Sequence, residues 1–430
     1  RISILTLSRY KVVEMEINRR KIIKKTQRKL SNLVGKLDNV EPRIRALFEL
    51  SASCVFPAGA VETEPGETGD TMRLFSPASE PPVPKKGRQT YRMWKAMVEL
   101  DSSPFRKSRL TEKMKRLRFL PLERYNVGPF NIDGLTSITE FLFLFLKAFF
   151  PGLEITLESP YDISQMDPIS RYHKLTHKKQ YLVTDVYTRL HRATDSNRKD
   201  YILGLTWTDL YPSEDLNFAL GEALYSHRCA VFSFGRFEPL LHNQNDRDIA
   251  PKDIDTSAVV SNSSGEGCCE EKSGCGRSFA SDEKQTLGCA EESKAGKAKE
   301  RELPHHSKDM SLDQEKEDGK DDVLQINADI LWKMMRVSSH EICHLFGLSH
   351  CVFFHCAMNE SKSVTEALMQ PLYLCPVCLR KLQKFFNFDI PARYRQIQDV
   401  CLKVQRSYPS ERIEETIDWL NRVQEFLSTD

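Results

Sequence analysis

Apolar residues begin to recur at regular spacing from about residue 115, and that is where ordered elements become legible. RFLPLERY (118–125) reads as a strand, with aromatic and leucine positions among charged ones. SITEFLFLFLKAFF (137–150) is apolar on nearly every face and predicts a buried helix ended by Pro151. LEITLESP (153–160) predicts a second strand. After a polar loop, YLVTDVYTRLHR (181–192) has helical spacing. YILGLTW (201–207), LNFALGEAL (216–224) and CAVFSFGRF (229–237) read as three further strands. Strands alternating with helices imply an α/β layer with a mostly parallel sheet.

The flanks differ in character. Residues 8–50 read as a charged, solvated helical stretch, and 55–90, rich in Pro, Gly, Glu and Ser, as a linker. RKSRLTEKMKRLRFLPL (106–122) is basic but lacks interleaved aromatics. It reads as a charged helix running into a strand rather than a nucleic-acid surface. In 242–323 aromatics nearly vanish and Ser, Gly, Glu, Asp and Lys dominate. Such a segment cannot bury enough apolar surface to offset its ordering entropy, so it predicts a disordered insertion. Order returns with one long helix, INADILWKMMRVSSHEICHLFGL (326–348), and three more at 379–388, 393–405 and 412–427. The expected organisation is an N-terminal extension (1–90), a first ordered part (91–241), the insertion (242–323), a second ordered part (324–395) and C-terminal helices (396–430).

Charge changes little. Lys and Arg total 62 and Asp and Glu 60, so no whole-chain field demands nucleic acid or a membrane surface. FLFLFLKAFF (141–150) is too short to span a bilayer, and ISILTL (2–7) is shorter than the apolar core of a secretory signal. The chain starts at Arg1, which leaves room for an incomplete or processed terminus. With twelve cysteines and no secretory signal, thiolate or metal use is expected over a disulfide framework, in a cytoplasmic or nuclear setting.

The chemistry concentrates in HEICHLFGLSHC (340–351). His340 and His344 are four apart, and four residues turn a helix by about 400°, so both rings lie on one face. Glu341 stands beside the first ring, where a general base can take a proton from a metal-activated water. Gly347 can end the helix in a left-handed conformation and let His350 approach the same ion. Three imidazoles and one water make the open tetrahedral site of a catalytic zinc. The plain alternative, helix histidines satisfied by hydrogen bonds, does not explain Glu341, Gly347 and His350 falling in register; the string is the metzincin motif. His173, His177, His191 and His355 lack that context.

Cys351, Cys356, Cys375 and Cys378 suggest a second site: four thiolates closing a structural zinc with no water position. A redox-active Cys375-x-x-Cys378 is the rival reading, without the strand-then-helix setting of thioredoxin-type motifs. Cys343, between the helical histidines, reads as a core residue.

Together His340-Glu341-x-x-His344-x-x-Gly347-x-x-His350-Cys351, Cys356-x-Met358 and Cys375-x-x-Cys378-Leu-Arg-Lys-Leu resemble the archaemetzincins, the archaelysin family of zinc metallopeptidases. LTWTDLYPSEDLNFALGEAL (205–224) and AVFSFGRF (230–237) resemble the family's strands upstream of the metal helix; the likeness covers about 117–240 and 324–395. It implies a metzincin-like α/β (α+β) fold with a mixed sheet, an active-site helix and a small zinc-stabilised C-terminal subdomain. It implies a catalytic zinc on His340, His344 and His350, a second zinc on the four cysteines, and Met358 in a Met-turn, with Met369 the alternative. Residues 216–224 are then the edge strand for an extended peptide. The expected function is peptide hydrolysis through a zinc-bound water with Glu341 as general base, on a peptide or protein substrate. The competing expectation is a non-catalytic, zinc-stabilised protein-binding module.

Overall fold

In a computed structural model the described residues are 27–55, 74–78, 88–100, 115–125, 127–174, 176–193, 200–237, 323–361 and 364–428. The start of the expected N-terminal helical stretch, most of the expected linker, residues 106–114 of the basic stretch and residues 242–322 of the expected insertion lie outside them. In chain order come helices α1 (Pro42–Val55) and α2 (Tyr91–Glu99), strand β1 (Arg116–Pro121), helix α3 (Ile138–Phe149) and strands β2 (Glu154–Leu157), β3 (Ser170–Tyr172) and β4 (Lys179–Leu182). Helix α4 (Val183–Ala193) leads to β5 (Tyr201–Thr206), β6 (Asp209–Tyr211), β7 (Gly221–Leu224) and β8 (Cys229–Ser233). Then follow α5 (Ala328–Leu345), α6 (Val364–Met369), α7 (Pro376–Phe386), α8 (Ile390–Ser407) and α9 (Glu411–Ser428).

The main sheet runs β2-β1-β5-β8-β7. β1 pairs parallel with β2 and β5, and β5 parallel with β8; only β7 is antiparallel, against β8. Side chains alternate across it. Tyr201, Leu203, Leu205, Ala230 and Phe232 join one buried cluster with α3 and α5. Ile202, Cys229 and Val231 face the other way, onto Val186 and Leu190 of α4. With both faces covered, the central strands read as continuous apolar runs, as a parallel sheet requires.

Short polar side chains start the helices. Ser137 accepts from the Glu140 amide at α3 (3.4 Å) and Asn327 from the Ile330 amide at α5 (2.9 Å). Helix α5 is buried almost all round, wedged between the sheet, α3 and the loop after it. No helix among the described residues is long and apolar enough to cross a membrane.

Several elements differ from the sequence reading. The strand expected over 216–224 is strand only from Gly221. Upstream, side chains take the carbonyls a ladder would need: Arg171 donates to Leu216 O (2.6 Å) and Gln180 to Asn217 O (2.8 Å). The strand expected over 229–237 stops at Ser233. The polar loop before α4 contains β3 and β4, which form a second small sheet with β6. Within the expected linker, Leu74 and Phe75 are buried. Trp419 Nε1 donates to Leu74 O (2.7 Å), and Phe75 packs edge-on against Trp419.

Candidate metal centre and active site

Helix α5 carries His340, Glu341 and His344 at its C-terminal end. The helix stops because Gly347 takes φ +79°, a conformation with a steric cost for any residue bearing a Cβ. The Leu348 amide donates to Cys343 O (3.1 Å) and the Gly347 amide to His344 O (2.9 Å). That paired closure is a Schellman cap, and it swings the chain so that His350 returns toward the helix face. Ring centroids then lie 4.6 Å (His340–His344), 5.3 Å (His340–His350) and 4.9 Å (His344–His350) apart. One ligand atom from each comes within 4.8 Å of the others.

Proton placement on two of the rings follows from their partners. His340 Nδ1 donates to Ala357 O (2.8 Å) and His344 Nδ1 to Leu348 O (2.6 Å). Both Nε2 atoms therefore present lone pairs, 2.9 Å apart. Lone pairs that close repel unless a cation lies between them. Zinc–nitrogen bonds of about 2.0–2.1 Å in a tetrahedron put ligand nitrogens about 3.3 Å apart, so a few tenths of an ångström of relaxation fits the pair to zinc. Burial favours the neutral, ligating rings. It holds His340 well below the ordinary imidazole value and pushes His344 down to about 4, with the His350 charge adding to it.

Glu341 points from the same helix toward β7. A Cβ on Gly221 would stand 2.8 Å from Glu341 Cγ and 2.9 Å from its Cδ, so glycine alone gives the carboxylate this berth. Among the described residues no donor hydrogen-bonds the carboxylate. Burial first, then the half-buried Glu222, pushes Glu341 up to about 8, with Arg336 opposing. A divalent cation at the three rings favours the charged carboxylate and works against that rise.

The four cysteines meet in a second buried cluster, all within 4.8 Å of one another. Cys351 Sγ and Cys375 Sγ are 3.6 Å apart, close to the roughly 3.8 Å expected of sulfurs 2.3 Å from a tetrahedral zinc. Cys356 Sγ accepts from the Cys375 amide (3.2 Å) and the Met358 amide (3.5 Å). Cys375 caps α7 and Cys378 lies in its first turn, where aligned amides favour thiolates. Hydrogen bonds from the other three cysteines hold Cys351 well below the ordinary thiol value, while burial pushes Cys375 up.

Comparison with known proteins bears on both clusters. Residues 323–384 match the model of peptidase family M54. Archaemetzincin-1 of Homo sapiens is 26% identical over 314 residues, covering 73% of this chain and 51% of the relative. Archaemetzincin-2 of Homo sapiens is 27% identical over 253 residues, covering 59% of this chain and 55% of the relative. Over these stretches the chain is similar to the archaemetzincins. It spans about half the length of the curated relatives it matches. The crystal structure of the archaemetzincin of Methanopyrus kandleri gives a TM-score of 0.34 at 18% identity, covering 65% of this chain and 99% of that one.

In this chain Met358 is fully buried, next to the Ala357 carbonyl that orients His340, while Met369 is 78% exposed. Several supporting residues carried no sequence signal. Gln89 Nε2 donates to Gly347 O (2.8 Å), and Gln89 Oε1 accepts from the Ser349 amide (3.1 Å) and from buried Lys381 (2.9 Å). Trp94 Nε1 donates to Phe346 O (2.9 Å). Together they brace the turn that aims His350. Asn359 folds the cysteine loop: its Oδ1 accepts from the Cys356 amide (2.7 Å) and its Nδ2 donates to Cys351 O (2.8 Å) and Phe354 O (2.9 Å).

Proposed function

We propose that this chain is a zinc-dependent metallopeptidase that hydrolyses peptide bonds, with His340, His344 and His350 as zinc ligands and Glu341 as general base. The carrying observation is convergence: three imidazoles offer ligand atoms to one point, and a carboxylate with no hydrogen-bond donor among the described residues stands one residue along the same helix. A closed structural site has no use for that carboxylate. When bound there, zinc supplies Lewis-acid chemistry, acidifying water and polarising a carbonyl. Glu341 takes the proton of the attacking water and later delivers it to the leaving amine. β7 ends its sheet, so an extended substrate can pair along its outer edge and bring a scissile carbonyl past Glu341. The four cysteines hold a second, structural zinc that fixes the loop beneath the site.

The test is hydrolysis of a peptide library by the zinc-loaded protein and by Glu341→Gln with matched zinc content. Loss of about 10²–10⁴ in turnover is expected for the variant. Equal turnover would refute the role of Glu341.

A further inference from the structure

Arg336 lies on α5 one turn before His340 and is 3% exposed. It is not a metal ligand, and the hydrolysis just described does not use it. Burying a guanidinium is unfavourable unless its surroundings compensate. The compensation is incomplete, because Nε has no hydrogen-bond partner among the described residues. An unsatisfied buried polar group of this kind calls for an explanation.

What Arg336 does hold is one short piece of chain. Its Nη2 donates to Asn359 O (3.4 Å), Ala357 O (3.5 Å) and Ser361 Oγ (3.4 Å). The Ala357 carbonyl is the same atom that accepts from His340 Nδ1 at 2.8 Å. Ala357 directly follows Cys356, and the Cys356 amide is clasped by Asn359. One loop thus carries two of the four sulfur ligands and the oxygen that orients a histidine of the other site. Beside His340, Arg336 is a second side chain of the metal helix that ties that loop back.

We propose that Arg336 is a positioning residue, pinning the Cys351–Ser361 loop so that the Ala357 carbonyl holds the His340 ring in its ligating pose and the order of the cysteine cluster reaches the histidine site. The inference rests on the three histidines being a metal site. Two donors on one carbonyl fix its direction, since each occupies a lone pair. A ring whose Nδ1 is held by a fixed carbonyl has its Nε2 already aimed, and loss of such outer partners costs a metal site about 10–100-fold in affinity.

Cobalt titration separates the two sites. Thiolate-to-metal charge transfer in the near ultraviolet reports the cysteines, and weaker visible bands without it report the histidines. Zinc-stripped wild type, Arg336→Met and Arg336→Lys are titrated with Co²⁺. Arg336→Met is expected to bind Co²⁺ about 10–100-fold more weakly at the histidines, with the cysteine site unchanged and the His340 Nδ1 proton resonance displaced. Arg336→Lys, a point charge without the planar fork, recovers part of the loss. Equal affinity at the histidines in wild type and Arg336→Met overturns the proposal, as does a parallel loss at both sites with reduced melting temperature, which marks a merely structural residue. Should Arg336→Met fail to fold, Arg336→Lys decides: weakening confined to the histidines supports the proposal, and wild-type affinity there overturns it. A wild-type protein that binds no Co²⁺ at the histidines would instead overturn the metal-site reading itself.

Discussion

Glu341 occupies its place because Gly221 has no side chain, and that dependence gives a sharp expectation. Gly221→Ala puts a carbon within 3 Å of the Glu341 side chain and pushes the carboxylate aside. Misplacement on the order of 1 Å lowers turnover by about 10²-fold. Gly221 and Glu341 are not among the proposed zinc ligands, so metal content, read by elemental analysis, should stay at the wild-type level. At the helix end, Gly347→Ala forces a Cβ into the left-handed region at a cost of about 1–2 kcal/mol, measured as a lowered urea midpoint. Residues 340–351 were readable beforehand because helical spacing and a helix-ending glycine are local facts. Gly221, Arg336 and Ala357 were not. Gly221 meets Glu341 across a long stretch of chain, and the Ala357 carbonyl that orients His340 belongs to a backbone group invisible to residue type.

Helix α2 and the residues before it serve as a brace for the α5 end. Trp94 is fully buried and its indole donates to Phe346 O. Trp94→Phe keeps most of the packing but leaves that carbonyl without its donor, which should cost about 1–3 kcal/mol. Thermal unfolding checks the cost. Metal retention by the histidines should fall more than retention by the cysteines, because the brace ends at the turn that aims His350. The continuous apolar runs made β1, β5, β8, α3 and α5 legible, since both sheet faces are covered and the helix is buried nearly all round. The short strands β3, β4 and β6 were lost in polar sequence, because their pairing is supported by Arg171, Gln180 and Asp209 rather than by apolar alternation. Leu74 and Phe75 were read as linker because two apolar residues in a Pro- and Gly-rich stretch give no period, and their partner Trp419 comes far later in the chain.

The two side-chain clusters share one loop, so the molecule should respond to metal as a coupled system. Cys378→Ser opens the sulfur cluster and is expected to remove one bound zinc per chain and lower the melting temperature, because a closed structural site contributes folding energy directly. Wild-type zinc content in that variant would argue against the cysteine site. The proposed hydrolysis depends on the other cluster, and anomalous diffraction at the zinc edge from crystals of zinc-loaded protein tests it most directly. The expected result is a peak bonded to ring nitrogens of His340, His344 and His350 at about 2.0–2.1 Å, with the Glu341 carboxylate nearby and not coordinated. A map whose zinc signal lies at the sulfurs alone would contradict the metallopeptidase reading.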